Sequence, residues 1–164
     1  MEGTGLREMA MANGTGRFPT TRVRRTLNTV LGGLVKYGVA APQLHLLTTR
    51  GRTSGFLRST PIILVENAQG RFLVAPYGPV GWVRNIRGDG FGTLRRGGWI
   101  ELISVTEVGP ERAAPVLREY LDHPRAACVG DHFEVSPHDP IGAFEKIAAN
   151  HPVFEIVRST TVRL

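Results

Sequence analysis

From residue 43 to 108 the chain alternates short apolar runs with Gly-rich turns. The runs are Leu44–Thr49, Ser59–Glu66, Arg71–Ala75, Phe91–Arg96 and Trp99–Val108. Each has the length and β-branched or aromatic content of a strand. Asn67-Ala68-Gln69-Gly70 and Arg95-Arg96-Gly97-Gly98 are hairpin turns, with Gly where a positive φ costs least. Five such strands predict an antiparallel meander that closes into a small barrel. The period changes on either side. Val23, Leu27, Val30, Leu31, Leu34 and Val35 fall on one face of a helix over 20–38, with Arg24, Arg25 and Lys36 on the other. Glu111–Leu121 follows Pro110 with acids in its first turn, which predicts a second helix. Pro140–Asn150 is a third, broken by His151-Pro152, and Val153–Arg158 is a closing strand. Residues 1–17 have no periodicity and read as a mobile tail ahead of a single domain over 18–164.

Composition adds limits. The chain has 164 residues, 41% of them hydrophobic and 21% charged, which is ordinary for one globular domain with a real core. No apolar run reaches the length that spans a bilayer, and the N-terminus lacks a compact signal core, so a cytoplasmic location is expected. Cys128 is the single cysteine, so there is no internal disulfide. The net charge of +6 is concentrated in the first two thirds of the chain: 1–41 and 42–108 each carry +4, and 109–164 carries −2. Nucleic acid is not the expected partner, because no recognition helix, zinc finger or aromatic interleaving accompanies the charge. The helix at 20–38 is either packed on the domain or laid on an anionic membrane.

Motifs exclude several chemistries. His123, Asp131, His132, His138 and Asp139 lack the spacing of a zinc site and read as exposed loop residues, so no metal is expected. There is no G-x-S-x-G elbow, dinucleotide fingerprint or Walker loop. Two features remain. One is the turn from Arg50 to Arg58. It carries three guanidiniums within nine residues, with Thr53 and Ser54 between Gly51 and Gly55. Arginine forks and unhindered backbone N–H groups suit an oxyanion; the alternative is a basic hairpin on a solvated surface. The other feature is 75–87. Tyr77 and Gly78 follow a strand, and Trp82 and Asn85 are spaced to share one face of a short helix. That pair is either a flat-ligand contact or a core Trp with a capping Asn.

The order L-L-T-T-x-G-R-x-S-G-x-x-R-x-T-P, a hairpin, V-A-P-Y-G, W-V-R-N-x-R-x-x-G and L-R-R-G resembles the deazaflavin-dependent nitroreductase family. These are split-barrel oxidoreductases that use coenzyme F-420, an 8-hydroxy-5-deazaflavin. The resemblance covers about residues 44–108. It implies an α+β fold: a small antiparallel split β-barrel of the FMN-binding type, of about six strands, with an N-terminal amphipathic helix and two C-terminal helices. It implies hydride transfer from the reduced coenzyme to an electron-poor small molecule, such as a quinone, a nitro compound or an activated C=C. The coenzyme ends in a phosphodiester, a lactyl carboxylate and a polyglutamate tail. By resemblance Arg50, Gly51, Arg52, Thr53, Ser54, Gly55 and Arg58 hold that anionic end. Pro61 and Ile62 start the flanking strand. Ala75, Tyr77 and Gly78 lie beside the ring with Trp82, and Asn85 and Arg84 bond phosphate or ring oxygens. Members commonly have Lys where this chain has Thr53, and Arg50 is the replacing cation. Tyr77 is the candidate proton donor. FMN is the alternative cofactor, a non-catalytic coenzyme carrier or membrane-surface protein the alternative function, and a homodimer is an open expectation.

Overall fold

The computed structural model describes residues 43–124 and 130–163. The tail over 1–17, the helix over 20–38 and Cys128 therefore lie outside the described residues. The described elements are β1 (Leu44–Arg50), β2 (Leu57–Asn67), β3 (Gly70–Val74), α1 (Gly81–Asp89), β4 (Phe91–Arg96), β5 (Trp99–Glu107), α2 (Pro110–Asp122), α3 (Ile141–Ile147) and β6 (Val153–Arg163). Single 3-10 turns occupy Gly130–His132 and Ala148–Asn150.

The six strands form a closed antiparallel barrel in the order β1-β2-β3-β6-β5-β4. The expected meander is corrected here. β3 and β4 are not neighbours: β6 enters between β3 and β5, and β4 closes the barrel by pairing with β1. Sequential strands often pair, yet the segment 75–90 is spent on α1, which carries the chain across one barrel end. β6 also runs five residues past the expected stop at Arg158, because Ser159–Arg163 pair with Trp99–Ile103 of β5 although they do not alternate in hydropathy.

Alternation along the strands divides the apolar side chains into two cores. Leu47, Ile62, Leu64, Leu73, Leu94, Ile103 and Phe154 fill the barrel interior, with Trp82, Val83 and Ile86 of α1 plugging it. Val65, Phe72, Val74 and Val153 face outward and are covered by Ala113, Ala114, Val116, Leu117 and Tyr120 of α2 and Phe144 and Ile147 of α3. The opposite barrel end is polar. Arg71 donates Nη1 and Nη2 to the two carboxylate oxygens of Glu101 at 2.5 and 2.9 Å, and Nε to Glu66 at 2.7 Å. It thereby ties β2, β3 and β5 together. The guanidinium's hydrogen bonds hold the Glu101 carboxyl below its ordinary value.

Candidate functional site

The turn that connects β1 to β2 is built tightly. Gly51 N–H donates to Phe56 O at 2.8 Å, and Gly55 N–H donates to Gly51 O at 2.7 Å. Gly55 has φ +69°, and a Cβ on the buried Gly51 would stand 2.8 Å from Ser54 Oγ and 3.1 Å from Phe56 O. Both glycines are therefore required by the shape of the turn. Arg50, Arg52, Thr53, Ser54 and Arg58 are exposed around it. Among the described residues the ion pairs are Arg71 with Glu66 and Glu101, Arg87 with Glu107, and Arg112 with Glu155. None involves Arg50, Arg52, Arg58 or Arg84. Three guanidiniums without an ion pair among the described residues, two hydroxyls and a strictly shaped backbone fit a ligand with an anionic end.

α1 joins this turn through Asn85. The side chain is buried, at 7% exposure. Its Oδ1 accepts from Arg52 N–H at 3.3 Å, and its Nδ2 donates to the buried Thr49 Oγ1 at 3.1 Å. The amide ties the end of β1 and the start of the Arg-rich turn to α1. Trp82 lies on the same face, as the spacing predicts, with its ring 5.7 Å from that of Phe154 in the barrel core. The structure thus brings Thr49, Arg52 and Asn85 together, and it gathers Ile62, Ala75 and Trp82 as buried neighbours in the interior. Pro61 is half-buried on β2, opposite Leu46. Thr49 carries no motif of its own; its place one residue before Arg50, on the inward phase of β1, is the signal that would have found it.

Tyr77 goes elsewhere. Ala75 turns into the barrel, whereas Tyr77 is half-buried against the core under α2 and α3. Its ring meets His132 edge-on at 4.8 Å. Gly78 has φ +76°, and a Cβ there would stand 3.1 Å from Asn150 O. The segment is fixed by His151, whose Nδ1 lies 3.0 Å from Pro76 O and whose ring stacks on Phe133 at 4.1 Å. Burial pushes the His151 pKa down. In the sequence His151 was only half of a helix-breaking dipeptide; its structural use is to hold the strand exit that carries Tyr77.

Several solved structures are similar to this chain, and one with a TM-score above 0.5 supports the fold. A protein of unknown function from Agrobacterium tumefaciens superposes with a TM-score of 0.52 at 12% identity, over 88% of this chain and 60% of that one. An F420-H2 dependent reductase, FDR-A, has a TM-score of 0.46 at 21% identity, over 70% of this chain and 94% of that one. A nimc/nima family protein from Clostridium acetobutylicum has a TM-score of 0.49 at 10% identity, over 84% and 88%. No curated protein matches the chain. Residues 17–125 match the model of the family described as F420H(2)-dependent quinone reductase, and the chain belongs to that family.

Proposed function

We propose that this protein is an F420-dependent oxidoreductase acting on an electron-poor small molecule, and that the turn Arg50–Arg58 holds the anionic end of its coenzyme. The observation that carries the site is the Asn85 brace. Arg50, Arg52 and Arg58 stand without carboxylate partners among the described residues, on a turn that a buried amide pins to α1. A fixed cationic turn pays little ordering cost when it takes up phosphate and carboxylate. When bound, the reduced coenzyme supplies a hydride to a quinone, a nitro compound or an activated C=C.

The chain's own residues do the rest. Arg50, Arg52 and Arg58 neutralise the coenzyme's charge, with Thr53 and Ser54 as hydroxyl donors and Arg84 as a further cation at the same barrel end. Gly51 and Gly55 set the shape of the turn. Pro61, Gly78 and the backbone of 75–78 form the side on which a flat ring would lie. The buried Ile62, Ala75 and Trp82 support this surface from within the barrel. Tyr77 is the proposed proton donor to the reduced acceptor. That role requires the acceptor to sit on the α2 and α3 side of β3, where the Tyr77 ring packs.

Quenching of coenzyme fluorescence during titration with purified protein tests the reading. Binding is expected at micromolar levels, and Arg52→Ala is expected to weaken it roughly tenfold or more, the worth of one or two charge-assisted hydrogen bonds. No binding, or an unchanged Arg52→Ala variant, sinks the proposal. FMN titrated in parallel separates the two cofactors. Tyr77→Phe is expected to lower kcat for a water-soluble quinone about 100-fold while coenzyme affinity stays constant.

A further inference from the structure

The tip of the Arg-rich turn carries a feature that the coenzyme reading leaves unassigned. Phe56 is 73% exposed and Leu57 is 74% exposed, two consecutive large apolar side chains in water. Leu57 pairs with Arg50 across β1 and β2, so the two share one face of the sheet. Phe91, 49% exposed, lies two residues before Thr93, whose partner on β1 is Thr48; it projects on that same face at the same barrel end. The apolar side chains are therefore set among cations. From Arg50 to Val65 there is no acidic residue, and Arg50, Arg52 and Arg58 have no ion-pair partner among the described residues.

We propose that this rim, with Phe56 and Leu57 at its tip and Phe91 beside them, docks the protein on an anionic bilayer surface. Apolar side chains that enter the acyl boundary, ringed by guanidiniums at headgroup level, match the two forces that hold peripheral proteins on membranes. A protein partner is less well matched, because three closely spaced positive charges around two projecting side chains call for a surface with uniform negative charge. The turn is already fixed by Gly51 N–H to Phe56 O, Gly55 N–H to Gly51 O and the Asn85 brace, so docking orders little that is not ordered before. The inference goes beyond the coenzyme reading but draws on the same three arginines, so vesicle binding is read on the coenzyme-free chain. What separates the two roles is the apolar pair, so the test changes Phe56 and Leu57 and leaves the arginines in place.

The experiment is co-sedimentation of the full chain with vesicles of phosphatidylcholine, with and without phosphatidylglycerol. Coenzyme affinity and turnover of a water-soluble quinone are measured on the same preparations. The wild type is expected to bind the anionic vesicles and to bind the neutral ones less. Phe56→Ser combined with Leu57→Ser is expected to weaken binding to anionic vesicles at least ~10-fold, given the apolar area withdrawn. Coenzyme affinity and soluble turnover should stay as they were. Leu57→Trp, which adds interface-seeking aromatic surface, should tighten vesicle binding several-fold and serves as the second reading should the serine variant fold poorly. The proposal is overturned if the wild type ignores vesicles, binds both compositions equally, or binds as well with the serine pair as without it. It is also overturned if the serine pair abolishes coenzyme affinity, which would place these side chains in the ligand pocket. Loss of a concentration-dependent dimer instead of vesicle binding would make the rim a contact between two copies. Failure of coenzyme binding with vesicle binding intact would count against the proposed function alone.

Discussion

Asn85 has one amide and two structural demands on it. Its Oδ1 takes Arg52 N–H in a half-buried bond, and its Nδ2 serves the buried Thr49 Oγ1. Asn85→Ala leaves a buried hydroxyl and a backbone N–H without partners, which costs about 1–3 kcal/mol of stability. It also frees the turn, so coenzyme affinity should fall while kcat at saturating coenzyme holds. Unfolding in urea and a fluorescence titration check the two effects. Thr49→Val discriminates between a brace and a direct ligand contact. If Asn85 acts by holding the turn, Thr49→Val weakens coenzyme binding too, and the double variant loses less than the sum of the two. If Asn85 touches the coenzyme itself, Thr49→Val leaves affinity unchanged. The sequence showed that Trp82 and Asn85 share a helix face. It did not show which way that face looks, because the partner is a threonine thirty-six residues earlier on another element.

At the scale of elements, strand positions were legible and strand neighbours were not. Phe91–Arg96 matches the expected strand residue for residue, since alternation and the following Gly pair bound it on both sides. The place of β6 between β3 and β5 follows from long-range pairing that no local pattern encodes. Nor does any local pattern reveal Arg71 as the link between β2, β3 and β5, since its partner Glu101 is thirty residues away. Arg71→Met leaves the Glu101 carboxylate, 14% exposed, without its bidentate partner. The expected loss is about 1–3 kcal/mol, read as a lower urea midpoint with an unchanged slope. Adding Glu101→Leu should recover part of that loss, because an apolar pair carries no desolvation penalty. A double variant less stable than Arg71→Met would mean that the unpaired Glu101 carboxylate is not what destabilises the single variant. The turn was the most legible site element, because Gly and Arg mark it locally; its two exposed apolar residues were visible in the sequence too, but their exposure was not.

At the scale of the whole fold, three groups among the described residues govern acid stability. Burial lowers the pKa of His45, near the polar end of the barrel, and of His151, beside the Pro76 carbonyl, from the ordinary value of 6.5. The Arg71 hydrogen bonds lower Glu101 from 4.5. For each of the three the unfolded chain binds a proton more readily than the folded one does, so stability rises with pH across its window. The histidine contribution is complete above 6.5 and is lost as pH falls below it toward their lowered folded values. The Glu101 contribution is complete above 4.5 and is lost below that. The melting temperature is therefore expected to be flat above neutrality, to drop through a first step below 6.5 and to drop again below 4.5. His151→Asn keeps a donor near the Pro76 carbonyl but does not titrate. It should shrink the first step and leave the second, at the cost of the stacking on Phe133. Glu101→Gln should shrink the second step and leave the first. Scanning calorimetry of the wild type and the variants across the acid range reads both. A first step that survives in His151→Asn at full size, and also in His45→Asn, would mean that neither buried imidazole sets the acid limit of the fold.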